Sequence, residues 1–379
     1  MITKYAIHNF KNHAETNLEL SRLNILTGIN GAGKSSVMQS MLLLRDSFYR
    51  RPRMETLFLV GESVNVGTSN ELMNSNQEGG QDYLCLKMTS DTCDVEFKYK
   101  YPIADDTELS AYEGFEEKDP DHLKVISLFS DNFQYLSAFR TGPQRRYTSS
   151  SIVEKHRQIS QKMGQGEYAA SYLSNFGGED ISIAQLQYPG TESKSLYAQA
   201  EKWMGEISRG IKFQINQKGN KDVELNFGYE REGRGTVYHN AMNTGFGVSY
   251  VLSLVVAVLS AKPGSLILIE NPEAHIHPSG QSALMRMIGI AAANGVQCII
   301  ETHSDHIVNG ALVAGKERLG RDKLSVYYFC LDESLNCSPV KLEIEPGGRI
   351  INAPAGFCDQ MEEDMDILFG DNPEREENE

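Results

Sequence analysis

Cysteine is sparse in this 379-residue chain and tryptophan almost missing, with six of the first and one of the second. The cysteines (Cys85, Cys93, Cys298, Cys330, Cys337 and Cys358) form no C-x-x-C pair. That argues against a metal cluster or a disulfide framework and suits a reducing compartment. Long apolar runs are missing too. The longest, Val248–Ala261, is too short to span a bilayer and stops at Lys262-Pro263. The opening residues Met1-Ile-Thr-Lys-Tyr-Ala carry no hydrophobic leader, so the expected location is the cytoplasm, with no membrane partner. No heptad pattern is sustained and no internal repeat is visible, which excludes a long coiled-coil arm and a solenoid.

Positive charge is also in short supply. The chain has 36 Lys and Arg against 51 Asp and Glu, a net charge of −15. Such a surface repels nucleic acid, so any DNA or RNA contact needs a local basic patch. Two candidates exist: Arg45, Arg50, Arg51 and Arg53, which read as a solvated helix end, and Arg140, Arg145 and Arg146. Acid accumulates towards the C-terminus, from Glu362 to Glu379, and the tail beyond Gly370 reads as disordered. Hydrophobic content of 40% and charged content of 23% are those of an ordinary globular protein long enough for two or so domains.

Against these absences stands Gly28-Ile-Asn-Gly-Ala-Gly-Lys-Ser35, which fits the phosphate-binding loop G-x-x-x-x-G-K-[ST] at every fixed position. Its glycines let backbone N–H groups curl around phosphate, Lys34 neutralises β/γ oxygens, and the Ser35 hydroxyl can ligate Mg²⁺. Leu23–Thr27 reads as the strand entering the loop and Val37–Leu44 as the helix whose positive end faces the anion. The nucleotide-binding set is therefore Gly28, Asn30, Gly31, Ala32, Gly33, Lys34, Ser35 and Ser36, and the expected ligands are ATP and Mg²⁺.

The rest of the pattern is α/β. Ile2–Phe10 and Thr16–Leu20 read as strands, and alternation predicts a strand pair over Tyr83–Met88 and Val95–Tyr101. A helix over Ser195–Ile207 and strands over Lys212–Asn216 and Val223–Tyr229 follow. The last third predicts a buried helix at Val248–Ala261, strands at Ser265–Ile269 and Val296–Glu301, and an amphipathic helix at Ser279–Ala293. Leu324–Cys330 and Val340–Ile344 read as closing strands.

Four later features narrow the loop's meaning. Leu266-Ile-Leu-Ile-Glu270 is an apolar strand ending in an acid, the form of a Walker B motif. It runs into Asn271-Pro-Glu-Ala-His-Ile-His-Pro278. Glu301-Thr-His303-Ser304 follows a buried strand. Asn243-Thr-Gly-Phe-Gly-Val-Ser249 is a Gly-rich turn before a helix. In order and spacing this resembles the ATP-binding-cassette ATPases of the RecF, SMC and OLD type. The segments E-N-P-E-A-H-I-H-P and T-H-S resemble an AAA-type subgroup common in prokaryotic genomes. Gly347–Gln360, with Gly356-Phe-Cys-Asp-Gln360, resembles a C-terminal region of a poorly characterised branch.

The resemblance implies a P-loop NTPase fold, an ABC-ATPase head with mixed β-sheets flanked by helices and an inserted α+β lobe. The division it implies is 1–101 and 236–345 for the two parts of the head, 102–235 for the lobe, and 346–379 for a C-terminal segment with an acidic tail. By the same resemblance Glu270 takes the Walker B role, with Ser35, on Mg²⁺, and His303 the switch-histidine role. Asn243, Thr244, Gly245, Gly247 and Ser249 form a signature turn that reaches a second subunit's γ-phosphate. Gln144 is a weaker candidate for a metal-sensing glutamine, an ordinary turn residue being the alternative. His275 and His277 belong to the loop after Walker B rather than to a metal site.

The chain departs from that pattern at Asn271, where active relatives carry the water-polarising Glu. An amide cannot accept a proton at neutral pH, and Glu273 is the nearest carboxylate that could substitute. Hydrolysis is therefore expected to be slow or gated by a partner. The leading expectation is an ATP-driven homodimer, or higher homo-oligomer, that regulates a separately encoded effector such as a nuclease, in phage defence. The chain after His303 is too short for a complete Toprim nuclease domain. A RecF-like repair ATPase that binds DNA directly and a non-hydrolysing ATP-dependent scaffold are the alternatives.

Overall fold

The computed structural model describes residues 1–74, 82–218, 222–231, 233 and 235–369. The acidic tail expected to be disordered lies outside the described residues. Three sheets organise them. The first is wholly antiparallel and holds β1 (Ile2–Phe10), β2 (His13–Glu19), β4 (Thr56–Phe58), β5 (Tyr83–Ser90), β6 (Asp94–Lys100) and β7 (Glu108–Ala111). The second holds β3 (Leu23–Gly28), β8 (Phe133–Leu136), β13 (Leu266–Glu270), β14 (Gln297–Glu301), β15 (Leu324–Leu331) and β16 (Cys337–Lys341). The third holds β9 (Tyr147–Thr148), β10 (Ile211–Lys218), β11 (Asp222–Arg231) and β12 (Gly235–Asn240).

The second sheet positions the site. Its order is β16-β15-β3-β14-β13-β8, and only the edge strand β16 runs antiparallel to its neighbour. Its inner strands are nearly continuous apolar runs because both faces are covered. Along β13, Leu266 and Leu268 enter one core while Ile267 and Ile269 enter the other. The first core also takes the helix Lys34–Arg50, through Val37, Met41 and Leu44, and the sheet residues Ile7, Leu86 and Phe97. That helix is therefore sandwiched between two sheets. The second core takes the helices Phe246–Ser260, Pro278–Ala293 and Asp305–Ala314. Each fully buried aliphatic side chain contributes about 1.5–3 kcal/mol, so the strand ends carrying the site are held firmly.

Several expectations need correction. β16 spans Cys337–Lys341 rather than Val340–Ile344, and β2 starts at His13 rather than Thr16. Residues 102–235 do not all stand apart as a lobe: β7 joins the first sheet and β8 lies beside β13. The rest of that span, with Trp203, Phe213 and Phe227, shares a core with the Phe246–Ser260 helix. Arg45 is not at a solvated helix end. It is 7% exposed, donates to the carbonyls of Leu128 and Ser130, and stacks on Phe133. Among the described residues no helix is long and apolar enough to cross a membrane.

Candidate functional site

The loop after β3 takes its shape from backbone that only glycine tolerates. Gly28 has φ 129°, and a Cβ there would sit 2.2 Å from the Phe329 carbonyl oxygen on β15. Gly33, with φ 101°, caps the Lys34–Arg50 helix, and a Cβ there would meet His13 Nε2 at 2.7 Å. The turn joining β1 to β2 braces the loop from below. Asn12 Nδ2 donates to Gly31 O at 3.0 Å, and His13 Nε2 lies 3.0 Å from Gly33 O. Burial pushes the His13 pKa down to about 4, so the ring is neutral. A neutral ring facing a carbonyl must carry its proton on Nε2, which leaves Nδ1 to accept from Thr16 Oγ1 at 2.9 Å.

The polar residues of the loop then divide by direction. Asn30 and Gly31 are exposed, whereas Ala32, Lys34 and Ser36 are buried. Lys34 Nζ donates to the carbonyls of Gly28 and Ile29 at 2.8 and 2.7 Å. Ser35 Oγ donates to Glu301 Oε1 at 2.7 Å. Glu301 pairs in register with Glu270 on β13 and with Leu26 on β3, so the two acids end neighbouring parallel strands. Burial raises the Glu301 carboxyl to about 7; Glu270 adds to the rise, and the Ser35 hydrogen bond and Lys34 oppose it. Its Oε2 is buried without a hydrogen-bond partner.

Glu270 is held from the β8 side, where its two oxygens accept from Tyr135 Oη at 2.9 Å and from Ala138 N–H at 3.1 Å. Desolvation raises its pKa, against those hydrogen bonds and Arg140. Arg140 is no surface residue. It is 2% exposed and donates through Nη1 to Ser137 O and Glu270 O and through Nη2 to Asn271 O. Desolvation lowers its pKa to about 10, which leaves it charged at neutral pH. Asn271 has φ 42°, a left-handed backbone that asparagine adopts more readily than glutamate does. Glu273 spends one oxygen on Thr302 Oγ1 and the other on His303 N–H, at 2.8 and 2.9 Å. His303 stands at the surface; partial desolvation, and then the Lys34 charge, lower its pKa against the pull of Glu273.

Ser35, Glu270, Asn271, Glu301 and His303 line one cavity of about 300 Å³, together with Gln39, Asn65 and Phe139. Neither Gln144 nor any residue of Asn243–Ser249 is among its lining. Gln144 is exposed, with its backbone N–H donated to Tyr147 Oη. Of the signature residues, Asn243 and Gly245 are exposed, Thr244 is half-buried, and Ser249 is 7% exposed inside the helix. Gly247 packs on the segment after Walker B, where a Cβ would lie 2.1 Å from His275 O. His275 itself meets the rings of Phe246 and Tyr250 edge to face, and His277 caps the Pro278–Ala293 helix.

The donor set fits the expected cation. Ser35, Glu270 and Glu301 offer only hard oxygens, which suits Mg²⁺ rather than a soft metal. Among the described residues no group of three His, Cys, Asp or Glu closes around an ion. Sequence reasoning missed Glu301, Tyr135 and the bracing pair Asn12 and His13. Only the acid had a visible signal, as a charged residue closing an apolar strand.

Comparison with known proteins bears on the family and the fold. A family model described as "AAA domain, putative AbiEii toxin, Type IV TA system" matches residues 23–309. No curated protein matches the chain. Among solved structures, an SMC head bound to the C-terminal winged-helix domain of ScpA aligns with a TM-score of 0.53 and 14% identity, covering 91% of this chain and 98% of that one. An SMC head with an extended coiled coil, bound to the C-terminal domain of ScpA derived from Pyrococcus furiosus, aligns with a TM-score of 0.50 and 14% identity, covering 97% and 98%. These likenesses establish the fold of an SMC-type ATPase head.

Proposed function

Because the chain belongs to the AAA-domain family whose model spans its residues 23–309, we propose that it is an ATP-driven switch that dimerises around nucleotide and hydrolyses it slowly. One observation carries the reading: no signature residue lines the cavity below the phosphate loop, and Asn243, Thr244 and Gly245 form a surface turn ahead of the Phe246–Ser260 helix. A second copy would supply it, each subunit lending a loop to one site and a turn to the other. Thr244 is then the hydroxyl offered across the interface, since Ser249 is enclosed.

Within one subunit, Lys34 offsets phosphate charge and the loop amides orient the triphosphate. Mg²⁺, when bound, would be held by Ser35 and Glu270 and would neutralise charge on the phosphates. Asn271 lines the cavity and can orient water but not take its proton. Glu273 positions the His303 segment, accepting from Thr302 Oγ1 and from the His303 N–H.

The AbiEii toxin wording of the family supports phage defence, with a separately encoded effector such as a nuclease as the controlled partner. The ScpA domains bound to the matched SMC heads support the idea that this fold accepts partner proteins. Direct DNA binding is disfavoured by the net charge of −15 and by the burial of Arg45 and Arg140. Affinity purification with and without ATP, read by mass spectrometry, tests the effector. A partner set unaffected by nucleotide would defeat that part of the reading.

Mixed dimers test the shared site. Lys34→Ala and Gly245→Asp subunits should each be inactive alone. Gly245 is the suitable partner mutation because a Cβ there meets nothing within 4 Å, unlike Gly247. Random mixing makes half the dimers mixed, each with one intact site, so about a quarter of wild-type ATPase should return. No recovery in demonstrated mixed dimers would overturn the shared site.

Asn271→Asp should raise steady-state hydrolysis by at least about tenfold, because it places a carboxylate where a general base belongs. Aspartate tolerates the left-handed backbone, so the melting temperature should hold. Asn271→Glu should show a smaller gain and lose about 1 kcal/mol to backbone strain. An unchanged rate in both would show that water is activated elsewhere.

A further inference from the structure

We propose that Glu301 is a ligand of the Mg²⁺ that accompanies ATP, forming with Ser35 and Glu270 a three-oxygen protein face to the cation. The proposal rests on the ATP-binding reading above and adds an acid from the strand between the phosphate-loop strand and the Walker B strand. Three observations carry it. The parallel register sets Glu301 directly beside Glu270, both at the strand ends that open into the cavity. Ser35, the loop hydroxyl suited to Mg²⁺, already touches Glu301 Oε1. The other oxygen, Oε2, is enclosed and has no hydrogen-bond partner, although the residue is only 5% exposed.

The nearest cationic side chain does not explain that oxygen. Lys34 spends its hydrogen bonds on the Gly28 and Ile29 carbonyls, not on Glu301. A buried carboxylate oxygen left this way calls for a partner, and a hard divalent ion next to Ser35 supplies one. Glu270 alone is less well placed, since both its oxygens already accept from Tyr135 and Ala138.

The test uses the full chain with ADP and Mn²⁺ as the probe, titrated by electron paramagnetic resonance. In Glu301→Gln, Mn²⁺ should bind the protein–ADP complex at least tenfold more weakly, while ADP binding in EDTA changes less than twofold. Unchanged Mn²⁺ affinity would overturn the proposal. A loss of metal-free ADP binding as large as the loss of Mn²⁺ would overturn it too, by showing that Glu301 only shapes the loop. Glu301→Cys gives an independent arm: it should bind Mn²⁺ poorly with ADP but recover with Cd²⁺, and show a cadmium–thiolate absorption band absent from wild type. No such recovery or band in the folded variant would count against ligation. If wild-type protein bound no ADP at all, the ATP reading itself would fail, an outcome distinct from these.

Discussion

Replacing Lys34 by alanine is expected to weaken Mg·ATP binding by roughly 100-fold or more, about 2.8 kcal/mol, while leaving a folded protein. The ammonium is the loop's one side-chain charge for the triphosphate, and it is held 2.7–2.8 Å from two carbonyls of the loop itself. Its loss unpairs those carbonyls, a cost of about 1–2 kcal/mol. The loop keeps its other anchors, from Ile29 N–H to Phe329 O and from Asn12 to Gly31 O. Fluorescent-nucleotide titration beside a thermal melt separates the two effects. ATP affinity equal to wild type would sink the phosphate-loop assignment.

Arg140→Leu is expected to cost about 3–5 kcal/mol of stability, because one buried guanidinium satisfies three backbone carbonyls and faces Tyr250. Leucine has the bulk but no donors, so the carbonyls of Ser137, Glu270 and Asn271 would be left dry. The melting temperature should fall by at least about 5 °C. Arg140→Lys should recover only part, since a single ammonium cannot match a planar fork. A melt within a degree of wild type for the leucine variant would show that the network is dispensable.

How much of this could be read beforehand depended on contiguity. The phosphate loop, β13 and the helix at Phe246–Ser260 are single stretches whose pattern and punctuation survive in one dimension. Glu301 closes a strand, but its place between Ser35 and Glu270 comes from pairing β14 with strands far away in the chain. In sequence Arg45 and Arg140 look like basic surface because charge is usually solvated. Only the packing shows each guanidinium capping backbone carbonyls inside. β8 was hidden for another reason: four residues carry too little period to tell strand from loop. Asn271 looked like a degraded base, yet its φ of 42° gives it a backbone task that no spacing could disclose.

The bracing of the phosphate loop by Asn12 and His13 has a thermodynamic consequence. Fixing a residue's backbone costs about 1–2 kcal/mol of conformational entropy. In this chain part of that ordering comes from the fold itself, since hydrogen bonds tie the loop to the β1–β2 turn and to β15. The ligand meets a preorganised cradle, and the free energy of its contacts goes into affinity rather than into shaping the loop. The first dozen residues, far from the signature motifs in sequence, thereby help to set how tightly the nucleotide is held.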